Sequence, residues 1–288
     1  GRRAAAGRGE SPVQDCRLKV MRVIVTRPAR DAAPWVDAMV ASGLDAVALP
    51  LIAVEPVADP EPIRQAWSRI ASYSGVMFVS GNAVEHFFMQ KPALAHVFIA
   101  QKAITDTALT KALATGPGTV QALLKAGVEA GFIETPSAEA GQFDSEALWQ
   151  VIGTSVKAGQ RFLIVRGQDG SDLQASAGVG RDWFASQLKG SGAHVDLVAT
   201  YRRCLPPWCD TERSLAVSAA TDESVWLFSS SQAIVNLTAL LPAQSWERAR
   251  AVVTHARIAA AARQVGFGVV CESRPTLADT VASIESMR

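Results

Sequence analysis

Ala114-Thr115-Gly116-Pro117-Gly118-Thr119, and the apolar run from Val120 to Ala126 that Gly127 closes, decide how this chain folds. Two glycines and a proline make a turn that side chains do not crowd, and the Val120, Leu123, Leu124 spacing is one face of a helix. Gly127 is where that helix stops. A helix start left open in this way presents unpaired N–H groups and the positive end of the dipole, so it attracts a carboxylate or a phosphate. The same hexapeptide also serves as an ordinary strand-to-helix loop. It is neither a GxGxxG fingerprint nor a P-loop, because no Lys-Ser or Lys-Thr follows the glycines.

The surroundings of this stretch recur. Arg22-Val23-Ile24-Val25-Thr26-Arg27-Pro28 returns as Arg161-Phe162-Leu163-Ile164-Val165-Arg166-Gly167, an offset of 139. Val76-Met77-Phe78-Val79-Ser80-Gly81-Asn82-Ala83-Val84 returns as Trp226-Leu227-Phe228-Ser229-Ser230-Ser231-Gln232-Ala233-Ile234, an offset of 150. Thr115 to Gly127 returns as Thr254 to Gly266, again at 139. The registers agree if the second half gains about eleven residues within 167–180 and loses a similar number later. Three ordered matches point to a duplicated α/β unit; chance likeness among alanine-rich helices is the weaker account.

Length and composition set the class. At 288 residues the chain favours two domains, and 49% apolar with 19% charged residues is ordinary for a soluble globular protein. No apolar stretch approaches ~20 residues without a charge or a turn former, so no membrane span is expected. Residues 1–20 hold five basic and two acidic side chains and no apolar core. They fail as a secretory signal and read as a disordered leader ahead of Met21. The remainder carries 23 basic against 25 acidic residues, a poor match to nucleic acid. Cys16, Cys204, Cys209 and Cys271 form no CxxC pair and His86, His96, His194 and His255 are scattered, so no metal site is expected. Free thiols suit the cytoplasm.

Short apolar runs alternate with amphipathic stretches, as in parallel sheets covered on both faces. Expected strands are Arg22 to Thr26, Leu44 to Val57, Gly75 to Val79, Ala112 to Thr115, Gly131 to Glu134, Phe162 to Val165, Asp196 to Arg203, Ser224 to Phe228, Val252 to Thr254 and Val269 to Cys271. Helices are expected between them. One covers Asp31 to Ser42 with Trp35, Met39 and Val40 inward, and another covers Asp182 to Lys189 after a long polar insert. Ligands of such sheets bind beyond the carboxyl ends of the strands. The residues falling there are Arg27, Ser80 to Asn82, Gly116 to Thr119, Arg166 with Gly167, Ser229 to Ser231, and Thr254 to Arg257.

This set holds hydroxyls, glycines and arginines, without a Ser-His-Asp set or a pair of carboxylates. Such a surface grips anions. Ser80 and Ser230 are equally well explained as helix caps. Tyr201 ends a strand just before a proline connector. There its phenol either donates a proton to a leaving group or packs on the connector with its hydroxyl in water. Arg202 and Arg203 either pair with ligand carboxylates or coat an edge strand.

In order and spacing, these segments resemble the uroporphyrinogen-III synthase family from Met21 onward. The resemblance rests on Val23 to Pro28, Phe78 to Val84, Gly116 to Thr119, Ser145 to Leu148, Leu163 to Gly167, Tyr201 to Arg203 and Phe228 to Ser231. It implies two flavodoxin-like or Rossmann-like α/β domains joined by a two-stranded crossing linker, the first domain discontinuous. Residues 21–50 plus 207–288 would form one domain and 58–199 the other. The connectors would be 51–57 and 201–206, and the cleft between the domains the active site. The implied reaction closes the linear tetrapyrrole hydroxymethylbilane to uroporphyrinogen III, with loss of water and inversion of ring D.

By the same resemblance the reaction uses no cofactor, and the partners are the tetrapyrrole and, transiently, the enzyme that supplies it. The chain would be a cytoplasmic monomer. Carried over by position, Tyr201 is the catalytic donor; Ser80, Thr119 and Ser230 line the site, with Gly116, Gly118, Arg166, Arg27 and Arg257 as further binding residues. The second copy departs from the first, with His255-Ala256-Arg257 in place of Gly116-Pro117-Gly118 and Ile258 in place of Thr119, so a second anion site either relies on Arg257 or is absent. Two other classes compete. A periplasmic-type binding protein lacks an export signal here, and a nucleotide-using enzyme lacks the glycine fingerprint.

Overall fold

A computed structural model describes residues 21–93, 110–137, 144–168 and 175–287. The leader 1–20, Cys16 and His96 lie outside the described residues, as does most of 92–113. In chain order the elements are β1 (Arg22–Val25), α1 (Ala29–Ala41), β2 (Asp45–Ala48), β3 (Ala53–Pro56), α2 (Glu61–Ser68), β4 (Gly75–Phe78), α3 (Gly81–Phe88) and β5 (Lys111–Ala114). Then come α4 (Pro117–Lys125), β6 (Ile133–Glu134), α5 (Ser145–Ile152), β7 (Arg161–Gly167), α6 (Ala175–Gly190) and β8 (His194–Cys204). The chain continues through α7 (Asp210–Ala219), β9 (Val225–Phe228), α8 (Ser231–Leu240), β10 (Arg250–Val253), α9 (Ala256–Gln264), β11 (Val269–Glu272) and α10 (Leu277–Glu285).

Two sheets result, in the orders β11-β10-β9-β1-β2 and β3-β8-β7-β4-β5-β6. Every pairing is parallel except β3 with β8. The duplication explains the orders. Strands β1, β2, β4, β5 and β6 belong to the first copy and β7 to β11 to the second. Each sheet joins the first two strands of one copy to the last three of the other. Without β3, both sheets have the same doubly wound order, with its switch point between β1 and β9 in one and between β7 and β4 in the other.

The compact units follow the sheets. Among the described residues, one contains the chain up to Leu49, Cys209–Ser231 and Ala243 onward; the other contains those of Pro50–Trp208 and Gln232–Pro242. This differs from the expected boundaries in grouping 232–242 with the second unit. The Asn236 amide, buried in α8, donates to the Leu51 carbonyl at 2.7 Å, which holds that helix to the start of the second unit. The expected strand Leu44 to Val57, which Pro50, Pro56 and Pro60 push toward an edge or a connector, is two strands, and the second, β3, is the edge of its sheet. β2 pairs with β1, then Leu49 to Ile52 form an irregular connection with a bend at Leu51, and β3 pairs antiparallel with the end of β8. Leu49, Leu51 and Ile52 are all buried, so hydrophobicity alone gave no sign of the break.

Burial follows the period of two. In the second sheet Val76 and Phe78 share one core with Ala112, Ala114, Leu163 and Val165, while Met77 faces the opposite core with Leu113, Phe162 and Ile164. A strand buried on both faces tolerates no polar alternation, which is why these runs are continuously apolar. Helices α2 and α3 seal one face: the Trp67 ring stacks on Phe87 at 4.5 Å and its N–H donates to the Phe87 carbonyl at 2.9 Å. Each such aromatic contributes about 1.5–3 kcal/mol by burial. On α1, Met39 is buried and Trp35 partly so, but Val40 is 53% exposed, against expectation. Helix α6 starts seven residues before the expected Asp182, within the stretch read as a polar insert.

At the amino end of β7, Asp196 accepts from the Tyr73 hydroxyl at 2.7 Å and from Arg161 Nη2 at 2.8 Å. Burial pushes the Asp196 carboxyl up, but those two hydrogen bonds and the charges of Arg161 and Arg69 outweigh it and hold the carboxyl below its ordinary value. Burial, with Asp196 beside it, pushes the Tyr73 phenol up to about 12. A carboxyl depressed in the folded state stabilises above its unfolded pKa of about 4, and the contribution is lost as pH falls through the lower folded value. A phenol raised in the folded state stabilises below about 10 and loses that contribution as pH climbs toward 12. Asp196→Asn is therefore expected to flatten the acid limb of a stability–pH curve measured by urea denaturation. Parallel acid limbs for the two proteins would contradict the assignment.

Candidate functional site

The second unit gathers most of the expected residues at the carboxyl ends of β7, β4 and β5. Ser80 follows β4 as the N-cap of α3, its Oγ accepting from the Ala83 N–H at 3.2 Å. Capping satisfies one of the helix's orphan donors. It does not exhaust the residue, because Ser80 Oγ also lies 3.1 Å from the Tyr201 hydroxyl. Tyr201 is 1% exposed, so its hydroxyl is held by protein and not by bulk water. The His86 ring stacks on the phenol at 5.9 Å with 28° between planes, and the Arg203 guanidinium stands 5.9 Å from the ring centre.

The backbone around Tyr201 is fixed as closely. A bulge between Arg166 and Gly167 sets Gly167 opposite Tyr201, the Gln168 N–H donates to the Tyr201 carbonyl at 2.6 Å, and Thr200 Oγ1 donates to the Arg166 carbonyl at 3.3 Å. Bulges of this kind re-aim a side chain at a strand end. Arg202, next along β8, turns outward and pairs with Glu55 of β3 at 2.5 Å, both side chains about half exposed. Neither reading for Arg202 holds as stated: β8 is internal to the sheet, and the guanidinium pairs with a carboxylate of the edge strand β3.

Helix α4 begins as the sequence suggests. Gly116 is its N-cap in extended conformation without a side-chain cap, and Pro117 takes the first helical position. Thr119 is 7% exposed, and its N–H turns back to the Gly116 carbonyl at 3.1 Å. A Cβ at Gly118 would meet nothing within 4 Å, so this helix start is open. It also stands beside Ser80: a Cβ at Gly81 would lie 3.8 Å from the Gly118 carbonyl oxygen. Ser80, Gly116, Gly118, Thr119, Arg166 and Tyr201 thus belong to one sheet and one end of it.

Arg27, Ser230 and Arg257 belong to the other unit, at the ends of β1, β9 and β10. The Arg27 guanidinium lies 3.9 Å over the Trp35 ring, and its Nε is buried without a hydrogen-bond partner. Burial pulls the Arg27 pKa down, against the raising charge of Asp31. Ser231 Oγ is likewise buried without a partner, while Thr26 Oγ1 is spent on the Leu227 carbonyl at 2.6 Å. The start of α9 differs from that of α4. His255 Nδ1 accepts from the Arg257 N–H at 3.1 Å, so the donor that is open at Gly118 is taken here, and Arg257 itself is exposed. The helix start is therefore without a side-chain cap in one copy and capped in the other.

Sequence reasoning placed Gly167 and Ser231 at the ligand ends of the strands without seeing the Gly167 approach to Tyr201 or the burial of Ser231 Oγ, and it missed the His86 contact. Gly167 had one visible signal, standing where the first copy has Pro28. The His86 contact crosses between α3 and β8 and leaves no mark in local pattern. Among the described residues no cluster of His, Cys, Asp or Glu could hold a metal ion, and no helix is long and apolar enough to cross a membrane.

Comparison with known proteins agrees with this architecture. The family described as Uroporphyrinogen-III synthase HemD matches residues 33–282. The uroporphyrinogen-III synthase of Synechococcus elongatus is 26% identical over 219 residues, covering 76% of this chain and 74% of that one. The synthase of Chlorobaculum parvum is 33% identical over 148 residues, about half of either chain. Among solved structures, uroporphyrinogen-III synthetase from Helicobacter pylori gives a TM-score of 0.53 at 14% identity, covering 93% of this chain and 100% of that one. A mutant uroporphyrinogen III synthase from Thermus thermophilus gives 0.50 at 18% identity, covering 93% and 98%. At such identities the structures speak for the fold alone, and the family match spans most of the chain: it belongs to the uroporphyrinogen-III synthase family.

Proposed function

We infer that this chain is a uroporphyrinogen-III synthase, a lyase of haem biosynthesis that closes hydroxymethylbilane to uroporphyrinogen III with loss of water and inversion of ring D. The observation that carries the chemistry is a buried phenol held at the switch point of the second sheet, hydrogen-bonded to Ser80 and level with the open start of α4. The electron-rich pyrrole of the substrate breaks its own carbon–oxygen bond, leaving an azafulvene-type electrophile. Tyr201 delivers a proton to the departing hydroxyl, which leaves as water. What the protein adds beyond that is the fold of the bound chain, which favours attack through a spiro intermediate over plain ring closure.

The carboxylates of the tetrapyrrole suit uncapped N–H groups and arginine, assigned here to Gly116, Gly118 and Arg166, with Thr119 and Ser80 lining the site. In the other unit Arg27, Ser230 and Arg257 take further carboxylates. We place the protein in the cytoplasm as a monomer that meets the enzyme supplying hydroxymethylbilane transiently. A non-catalytic anion-binding role is disfavoured, because such a role gives no reason to bury a hydroxyl pair beside the anion site.

Expression in a bacterial strain lacking its own synthase tests this reading. Growth without added haem is expected; failure of well-expressed, folded protein to rescue would overturn it. Gly118→Asp tests the anion site. The new side chain enters open space and an acidic residue suits a helix start, so stability is expected to hold. Product affinity, measured by calorimetric titration under anaerobic conditions, is expected to fall roughly tenfold through like-charge repulsion. Equal affinity would make the loop purely structural.

A further inference from the structure

Tyr201 and Ser80 are not on neighbouring strands. In the order β3-β8-β7-β4-β5-β6, β7 lies between them. The phenol therefore reaches Ser80 only by lying across the end of β7, and the residue it crosses is Gly167. A Cβ at Gly167 would stand 2.8 Å from Tyr201 Cε2 and Cζ and 3.1 Å from its hydroxyl oxygen, well inside carbon–carbon contact at about 3.5–4.0 Å. Gly167 is not among the described glycines with positive φ, so the demand here is for space and not for an unusual backbone. In the first copy the same position is Pro28, and β2 ends at Ala48 without an aromatic residue. Among the described residues the other unit has no counterpart of this arrangement.

At the far end of the ring, Ser80 Oγ already accepts the Ala83 N–H. A serine whose oxygen accepts from a helix start has its own proton to give. Donated to the Tyr201 oxygen 3.1 Å away, it completes a one-way chain from Ala83 N–H through Ser80 O–H to Tyr201, which leaves the phenol proton for a ligand. Such chains polarise each member in turn and favour negative charge at the receiving end. That end is the phenolate left behind when the proton goes.

We propose that Gly167 and Ser80 are positioning residues for Tyr201: the glycine opens the track across β7 on which the phenol lies, and the serine hydroxyl fixes its rotation and supports the phenolate. This inference rests on the reading of Tyr201 as the proton donor. It also assigns Ser80 a task beyond capping α3. Loss of the cap costs stability whatever stands at 201, whereas loss of the orientation costs turnover only when a hydroxyl is there to orient.

The test compares Ser80→Ala, Ser80→Thr and Gly167→Ala, each alone and on Tyr201→Phe, by kcat and KM with hydroxymethylbilane. Ser80→Ala and Gly167→Ala are each expected to lower kcat about tenfold or more, as small misplacements do, with KM nearly unchanged. Ser80→Thr, which keeps a hydroxyl, is expected to retain most of the turnover. Neither alanine variant is expected to slow the enzyme further once Tyr201 is phenylalanine. A second readout is independent of activity. The sequence holds two tyrosines, so on Tyr73→Phe the tyrosine Raman doublet reports Tyr201 alone, and Ser80→Ala and Gly167→Ala should each change its intensity ratio. Equal loss of kcat with and without the Tyr201 hydroxyl, or unchanged kcat and doublet, overturns this inference alone. Wild-type kcat in Tyr201→Phe overturns the donor reading and this inference with it.

Discussion

Tyr201→Phe is expected to lower kcat by roughly a hundredfold while the protein stays folded, the low end of the about 10²–10⁴ that a positioned proton donor supplies. The low end applies because the substrate expels its hydroxyl unaided and the phenol only assists. The substitution removes one oxygen from a ring that is 1% exposed and otherwise keeps its contacts with His86 and the end of β7. Its stability cost is that of one hydrogen bond to Ser80, about 1 kcal/mol. Single-turnover kinetics beside a urea titration separate the two effects. Turnover equal to wild type would remove Tyr201 from the chemistry, and a large loss of stability would make the kinetic loss uninformative about proton transfer.

Trp226→Ala is expected to be the most damaging core substitution, lowering unfolding free energy by about 3–5 kcal/mol, a large part of the about 5–15 kcal/mol a domain possesses. Trp226 sits at 0% exposure in β9, between β1 and β10. It stacks along Phe228 at 6.1 Å, meets Trp246 edge-on at 5.4 Å and Phe267 at 6.4 Å, and its N–H donates to the Ala219 carbonyl at 3.0 Å. Alanine would leave a cavity lined by three rings too rigid to fill it, and an orphaned carbonyl as well. Trp226→Phe should recover part of the loss, since the ring contacts return and the N–H does not. A change below about 1 kcal/mol for the alanine variant would contradict this account of the core.

The fold was legible because the duplication writes the same buried strand twice, and because strands covered on both faces are short and uniformly apolar. Caps were legible too: Ser80 and Asp144 each accept from the N–H three residues on, as residue type and position suggest. Helix and strand ends were less so. Leu44 to Val57 read as one strand because Leu49, Leu51 and Ile52 are as buried as strand residues, though they form an irregular connection with a bend at Leu51; the prolines marked only its edge or connector character. Of the site, the sequence exposed what repeats or what glycine and proline punctuate. It could not reveal that Tyr201 passes over Gly167 to reach Ser80, because that contact joins residues 34 and 121 positions apart across a strand order that no local pattern encodes. The closed start of α9 was half visible: His255 in place of Gly116 announced a difference, and only the geometry showed its side chain taking the Arg257 N–H.

The central claim is that geometry imposed by this chain decides which isomer forms. The direct measurement is to supply hydroxymethylbilane as it is made by its own synthase, oxidise the products and separate the isomers chromatographically. Uroporphyrin III in excess, formed faster than spontaneous closure, is the predicted result. Uroporphyrin I alone, at the rate seen without the protein, would contradict it.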